Sequence, residues 1–296
     1  MGSYARQPMD LFRTAGPLPT DLRDPVLVVA LDGWTDAGAG GTRAAVELLD
    51  QLDTTRLADI DPDRLFDYRD RRPVLPITQG VLGTPEWPEL TLDVARTPTG
   101  PDLIVLSGAE PDFGWAALAG DVVELAEALQ VRRSIGLGSV PGPIPHTRSP
   151  RLLVTSTEEA VFDAYGRPHE EVVVPASCQV VLEQQLGAAG LAATGFWVRI
   201  PHYVATDYPQ ASQLLLENVG RFLELSLAAD QLDAEVADHA RRLDVAAEGS
   251  PEVQAHITML EEAYDADEES GQEFSGPIPT GDQIAEELER FLRDES

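Results

Sequence analysis

The chain has 296 residues, 43% hydrophobic and 24% charged, which is the composition of an ordinary globular protein with one or two domains. All 21 cationic residues are arginines, and the 51 acidic residues leave a net charge of −30. This charge repels nucleic acid and anionic lipid, while the lack of lysine excludes Schiff-base catalysis and a P-loop. We therefore predict that the chain binds neither nucleic acid nor membranes.

The cellular compartment is predicted from three further features. The apolar runs, such as residues 26–31, are far shorter than the roughly 20 residues of a membrane helix. Residues 1–13 include two arginines and lack the apolar stretch of a secretory signal. Cys178 is the single cysteine, so no internal disulfide can form. Together these features predict a cytoplasmic protein.

Strand and helix patterns alternate along the first three quarters of the chain. Residues 25–32 and 102–107 are apolar runs bounded by turn formers, which predicts two fully buried strands. Residues 90–95 alternate apolar and polar side chains, which predicts a strand with one exposed face. Further strands are predicted at 57–60, 134–137, 152–155 and 193–200. Helices are predicted around Ala45 to Leu52 and at 115–130, 179–188 and 208–225. Residues 61–88 are predicted to form a loop with short extended pieces. This order predicts an α/β core over residues 1–226, with a mostly parallel sheet sandwiched by helices.

From residue 227 the pattern changes to consecutive helices, which predicts an acidic helical C-terminal extension over 227–296. The apolar stripes that define its helices are Leu232, Val236, Ala240 and Leu243, then Val253, Ile257, Leu260 and Tyr264 after Ser250 and Pro251, and then Ile284, Leu288, Phe291 and Leu292 after Thr280. Residues 265–279 read as a polar linker. Residues 244–289 hold 14 acidic side chains and no arginine. Such a block is typical of a solvated face, and a docking arm for a basic partner is the alternative.

Five short motifs occur in order along nearly the whole chain. They are Asp32-Gly-Trp-Thr-Asp-Ala-Gly38, residues 103–111, residues 136–139 running on to Pro145-His-Thr-Arg148, residues 195–203, and the closing segment 281–292. Together they resemble the PAC2 (proteasome assembly chaperone 2) family in its actinobacterial form.

The resemblance implies a phosphorylase/hydrolase-like α/β core that assembles into trimers or other rings. Members of the family in eukaryotes and archaea help to assemble or bind the proteasome, and the actinobacterial branch has no settled biochemical role. Chaperones that dock on the proteasome ring commonly end in a hydrophobic-Tyr-any motif. This chain ends in Arg-Asp-Glu-Ser, so that docking mode is not supported.

The motifs of common enzymes are missing from the sequence. The glycine-rich turn 38–41 lacks the third glycine of a dinucleotide site, so we interpret it as a tight turn that lets a helix pack closely. No Gly-x-Ser-x-Gly motif occurs, and Pro141 opposes the partial match at 138–142. No two of the five histidines lie three or four residues apart, which predicts no metal site and no cofactor.

The ends of parallel strands meet at one edge of a sheet, and loops from distant segments would converge there. The candidate ligand-binding or partner-binding residues at this edge are Asp32, Trp34, Asp36, Gly38, Glu110, His146, Arg148 and His202. A carboxylate beside a histidine can carry out acid–base chemistry, whereas arginines and histidines at loop starts also hold backbone carbonyls or subunit interfaces. We favour the structural or interface role.

The leading hypothesis is a non-enzymatic, homo-oligomeric assembly or interaction protein with a chaperone-like role. Its partners would be further copies of the chain and a protein bound through the C-terminal helices. The alternative is a small-molecule-binding protein, or a hydrolase- or phosphorylase-like enzyme acting on a nucleoside-like or amide substrate. A purely structural ring subunit is a third reading.

Overall fold

The computed structural model describes residues 9–14, 16–168 and 173–270, with only the backbone of residues 268–270. Its main sheet has eight strands: β1 (Phe12–Thr14), β2 (Val26–Asp32), β3 (Asp53–Ile60), β6 (Leu90–Arg96), β7 (Leu103–Ala109), β8 (Arg133–Gly142), β9 (Leu152–Ser156) and β10 (Ala192–Pro201). A separate hairpin consists of β4 (Ile77–Thr78) and β5 (Val81–Leu82). The described helices are α1 (Gly40–Asp50), α2 (Trp115–Ala128), α3 (Glu159–Tyr165), α4 (Cys178–Ala188), α5 (Pro209–Leu223), α6 (Asp233–Glu248) and α7 (Pro251–Ser270).

The centre of the sheet is parallel and its margins are antiparallel. The strand order is β1-β3-β6-β7-β2-β8-β10-β9. Strands β7, β2, β8 and β10 pair in parallel, whereas β1, β3, β6 and β9 pair antiparallel with their neighbours. Strand β3 runs in the same direction as the central four, so five of the eight strands share one direction. The prediction of a mostly parallel α/β sheet is confirmed.

Side chains of the central strands point alternately into two cores, one on each face of the sheet. Leu27, Val29 and Leu31 of β2 pack with α2 and α4 on one face, while Val28 and Ala30 pack with α1 and α5 on the other. A strand covered on both faces needs apolar residues at every position, because its side chains alternate across the sheet. This burial explains the continuous apolar runs in the sequence.

Several local predictions need correction. Residues 90–95 were expected to expose one face, but β6 is buried along nearly its whole length because it lies between β3 and β7 under helices. The polar linker expected from residue 265 is wrong at its start, since α7 continues to Ser270. Strand β8 is longer than predicted, and β1 and α3 were not predicted. The helix expected after Thr280 lies outside the described residues.

Helices α6 and α7 lie against the core. On α7, Ile257, Leu260 and Tyr264 are buried, as the predicted stripe requires. Polar contacts also hold these helices against the rest of the chain. Arg43 of α1 forms a bidentate salt bridge with Glu235 of α6, in which Nη1 lies 2.8 Å from Oε1 and Nη2 lies 2.7 Å from Oε2. Residues 233–248 and 251–270 are helical, and the division of the chain into a core over 1–226 and an extension over 227–296 stays a prediction. None of the helices within the described ranges is long and apolar enough to cross a membrane.

Candidate functional site

The four central parallel strands end at a common edge of the sheet. Their last residues are Asp32, Ala109, Gly142 and Pro201, and the backbone of Asp36 forms a further bridge with Ser139 beyond the end of β2. This carboxyl edge carries the loops that contain all eight candidate residues. In open α/β sheets, ligands bind in the crevice at this edge.

The Asp36 carboxylate hydrogen-bonds with the first turn of α1. Its carboxylate accepts hydrogen bonds from the amide of Gly41 at 2.6 Å, from the amide of Thr42 at 3.3 Å and from the Thr42 hydroxyl. Burial raises the pKa of Asp36 above its ordinary value, although the hydrogen bonds from Thr42 and Gly41 oppose the shift. These bonds supply partners for amides that a helix start leaves without intrahelical acceptors. A phosphate could not use the same amides without displacing this carboxylate.

The glycine turn brings α1 close to the sheet. Gly38 has a left-handed backbone with φ of 64°, and a β-carbon there would lie 2.8 Å from Tyr208 Cβ. A β-carbon on Gly40 would lie 2.6 Å from Ser139 Oγ, and one on Gly41 would lie 2.2 Å from the Leu137 carbonyl oxygen. These approaches support the interpretation of residues 38–41 as a close-packing turn.

Glu110 joins three loops. Its Oε2 accepts from the Trp34 amide at 3.1 Å, and its Oε1 accepts from the Cys178 amide at 2.6 Å, at the start of α4. A carboxylate at a helix N-terminus is favoured by the helix dipole. Burial and the neighbouring Glu110 raise the pKa of the Cys178 thiol to about 12. The cysteine is therefore not a nucleophile at neutral pH.

Asp32 and Trp34 are the two exposed members of the candidate set. The Trp34 side chain is 55% exposed. Asp32 lies 3.2 Å from Arg71, at the base of the segment that carries the β4–β5 hairpin. Both residues face solvent and are accessible to a partner.

His146 lies beneath α6 and is almost fully buried. Tyr203 Oη accepts from the His146 amide at 2.8 Å and lies 2.7 Å from its Nδ1, while Nε2 lies 3.3 Å from Asp244. Burial raises the pKa of Tyr203 to about 12, so its hydroxyl stays protonated and can donate to Nδ1. The arrangement assigns the imidazole proton to Nε2, where it donates to Asp244.

Arg148 anchors α7 to the same edge. Its guanidinium forms two 2.8 Å hydrogen bonds with Asp265 and a 3.2 Å bond with Glu261. A neighbouring contact is similar: Arg151 lies 4.0 Å above the Tyr264 ring, and the Tyr264 hydroxyl donates to the Ser149 carbonyl at 2.9 Å. Both arginines are therefore engaged by α7 rather than free for an anionic ligand.

His202 contacts a second histidine of the extension. Its Nδ1 lies 3.2 Å from the Gly142 carbonyl oxygen, and its Nε2 lies 3.4 Å from Nε2 of His256 on α7. We call the contact between helices α6 and α7 and the carboxyl-edge loops the seam. A third histidine on this seam, His239 of α6, is buried edge-on against Tyr208. The sequence analysis missed Tyr203, His239 and His256 because their partners lie far away along the chain and their spacing carries no signal.

The eight candidates thus form two groups at one edge. Asp32, Trp34, Asp36, Gly38 and Glu110 surround the starts of α1 and α4, whereas His146, Arg148 and His202 lie under α6 and α7. Tyr208 lies between the groups, since it packs against Gly38 on one side and His239 on the other. Among the described contacts, neither Asp36 nor Glu110 hydrogen-bonds to His146 or His202. The described ranges also contain no group of three or more side chains suited to hold a metal ion.

A second surface lies beside this edge, on the segment that carries β4 and β5. Residues 73–85 contain no charged side chain, although 24% of the chain is charged. Its large apolar side chains are from 40% to 71% exposed, namely Val74, Leu75, Ile77, Val81 and Leu82. The chain that leads into this segment is held by the loop after β7. The Asp67 amide donates to the Asp112 carboxylate, and the amides of Asp112 and Phe113 donate to the Leu65 carbonyl. We call residues 73–85 the hairpin arm.

The arm lies in the segment predicted as a loop with short extended pieces, and β4 and β5 are such pieces. The lack of charge in the arm was the signal for an interaction site that the sequence offered. Exposed apolar patches of this kind mark interaction sites in soluble proteins.

The fold and this edge define a class: an α/β protein whose carboxyl-edge loops are covered by its own C-terminal helices, with an exposed apolar arm beside them. Solved structures share the fold. The Mycobacterium tuberculosis protein Rv2714, of unknown function, is 37% identical with a TM-score of 0.81, over 88% of this chain and 92% of that one. A Corynebacterium glutamicum protein of unknown function is 30% identical with a TM-score of 0.82, over 88% of this chain and 98% of that one.

A third structure carries a functional description. The M. tuberculosis proteasome-assembly chaperone homologue Rv2125 is 25% identical with a TM-score of 0.73, over 78% of this chain and 99% of that one. The family model described as PAC2 family matches residues 30–247. Comparison with curated protein sequences gives no match. The chain belongs to the PAC2 family, as the sequence motifs predicted.

Proposed function

We propose that this chain is a cytoplasmic, non-enzymatic assembly or interaction protein that works as a homo-oligomer, a trimer or another ring. The hairpin arm is the single observation that carries the proposal. Its uncharged, exposed residues would be covered when the arm packs on another copy of the chain. Burying apolar surface is the dominant favourable term in most protein association.

The net charge argues for the arm as the contact between copies. Two chains that each carry −30 repel one another, so a stable contact needs a surface on which acidic residues do not face each other. Residues 73–85 meet that requirement, and their exposed apolar side chains suit the centre of an interface, where charged residues are depleted.

A chaperone-like role is supported by the family and by the relative described as a proteasome-assembly chaperone homologue. The acidic residues from 244 onward, which include those of α7, are the region we assign to a protein partner with a basic surface.

The alternative, a small-molecule site or a hydrolase- or phosphorylase-like enzyme at the carboxyl edge, has weaker support. Asp36 and Glu110 hold backbone amides, and Arg148 holds carboxylates of α7. A ligand at these residues would have to displace those contacts.

The arm is tested by replacing Val81 and Leu82 together with aspartate. Each lost apolar contact costs about 1.5 kcal/mol or more, so self-association should weaken by more than about 100-fold. The matched control replaces Val245 and Met259, exposed apolar residues on α6 and α7, with aspartate. Light scattering should give the mass of one chain for the arm variant and an oligomer for the control. An arm variant with the mass of the unaltered protein would rule out this interface.

A further inference from the structure

The four histidines of the described ranges lie on one seam. They are His146 and His202 on the carboxyl-edge loops and His239 and His256 on α6 and α7. Tyr203 packs edge-on against His146, His202 and His256, and Tyr208 packs edge-on against His239. Histidine is the side chain whose charge changes most readily near neutral pH. Four such side chains therefore lie where α6 and α7 meet the carboxyl-edge loops.

The surroundings of His239 disfavour a charged imidazole ring. It is 7% exposed, with the Tyr208 ring against it. The charged and titratable groups that face it are Glu235 and Arg242 on its own helix, Asp207 on the loop before α5, and His146 on the loop after β8. Burial is the largest influence, and with the nearby Arg242 it lowers the pKa of His239 below its ordinary 6.5.

His202 and His256 contact each other across the seam. With Nδ1 of His202 donating to the Gly142 carbonyl, its Nε2 can accept from Nε2 of His256 at 3.4 Å. Two cationic rings at this distance would have no acceptor between them and would repel one another. Tyr203 faces both rings, and Glu261 of α7 lies close enough to Tyr203 to raise its pKa.

Other contacts on the seam respond differently. A proton on His146 would strengthen its contact with Asp244, which is exposed to solvent. The ion pairs of Arg43 with Glu235 and of Arg148 with Asp265 persist until their carboxylates are protonated at much lower pH. Mild acid therefore acts against the buried contact of His239, while the contact of His146 with Asp244 and these arginine contacts remain.

From this geometry we infer that α6 and α7 form a pH-sensitive strap, which leaves the carboxyl edge as the pH falls and exposes His146, Arg148 and His202. The direction follows from linkage. The released state binds more protons than the closed one at His239, so the contribution of this residue to closure is fully present above pH 6.5 and is lost as the pH falls below it. Each additional proton taken up on release shifts the equilibrium up to about tenfold per pH unit. The inference does not depend on self-association through the arm.

Hydrogen exchange of the full chain at pH 7.5 and 5.5, corrected for intrinsic rates, tests the strap. We expect protection of residues 233–267 to fall by about tenfold or more at the lower pH, with α2 unchanged. The variant His239→Phe with His256→Gln retains a ring against Tyr208 and a donor for His202 without titrating. It should keep its protection at pH 5.5, whereas His146→Gln should still lose it.

Equal protection of residues 233–267 at both pH values in the unaltered protein would overturn the inference. So would a double variant that loses protection as the unaltered protein does. If the double variant also loses protection in α2, its fold is impaired and His239→Gln alone replaces it. Loss of protection in that single variant equal to the loss in the unaltered protein then overturns the inference, and a smaller loss supports it.

Discussion

Gly41→Ala is expected to destabilise the protein by about 3 kcal/mol, because the new methyl group has no room. Its β-carbon would lie 2.2 Å from the Leu137 carbonyl oxygen and 3.1 Å from Asp36 Oδ1. The first contact is with the backbone of a central strand, which cannot rotate away as a side chain could. The start of α1 would have to move off β8, and the bonds from Asp36 to the first turn would be lost with it.

The measurement is the midpoint of urea denaturation, with Gly249→Ala as the control. Gly249 has a helical backbone with φ of −74°, and a β-carbon there would meet the Ala246 carbonyl at 3.4 Å, close to ordinary contact. The control should be neutral or slightly stabilised. Equal midpoints for the two variants would show that α1 does not pack on β8 as closely as described.

Asp102→Ala is the second substitution with a large expected effect, a destabilisation of about 3 kcal/mol. The carboxylate is fully buried at the opposite edge of the sheet. It accepts from the Arg23 amide at 2.9 Å, from the Arg23 guanidinium at 2.8 Å and from Arg96 at 3.0 Å. We place the effect at the low end for a broken buried pair because both arginines are partly solvated after the loss.

The pH dependence of this site has a definite sign. Burial alone would raise the pKa of Asp102, but hydrogen bonds from Arg23 and Arg96 outweigh it and hold the pKa below 3.8. Its contribution to stability is therefore present above pH 3.8 and is lost as the pH falls below that value. In the Asp102→Asn variant, the urea midpoint should therefore fall less steeply as the pH is lowered below 3.8.

Asp21 provides the comparison, because it pairs with Arg96 at 2.7 Å but is 76% exposed. Asp21→Asn should leave the midpoint unchanged at neutral pH, since exposed ion pairs contribute little. An Asp102→Ala variant as stable as Asp21→Asn would refute the role assigned to the buried carboxylate.

Much of the fold could be predicted because burial dictates composition. Strand β2 lies between two helical layers, and its run from Val26 to Leu31 is apolar throughout for that reason. The same rule misled at β6, where the alternation of Thr91 and Asp93 with apolar residues suggested an exposed face. Asp93 is buried there because Arg56 of β3 reaches it at 2.8 Å, and a partner 37 positions away cannot be inferred from local pattern.

The candidate residues were predicted from the rule that parallel strands end at one edge, whereas their contacts were not predictable. Asp36 and Glu110 were chosen as chemical groups, yet in the structure they hold amides at helix starts. The histidine seam depends on α6 and α7 folding back onto loops about 50 to 115 residues away, as the pairs His202–His256 and Arg148–Asp265 show. Sequence periodicity locates helices but does not say which surface they cover.

The most direct test of the proposed function is the native mass of the full chain at micromolar concentration and neutral pH. We predict a mass of two or more times the 32.0 kDa of one chain, with hydrogen exchange in residues 73–85 slowing as the concentration rises. A single-chain mass across that range, with exchange in the arm independent of concentration, would contradict self-association through the arm.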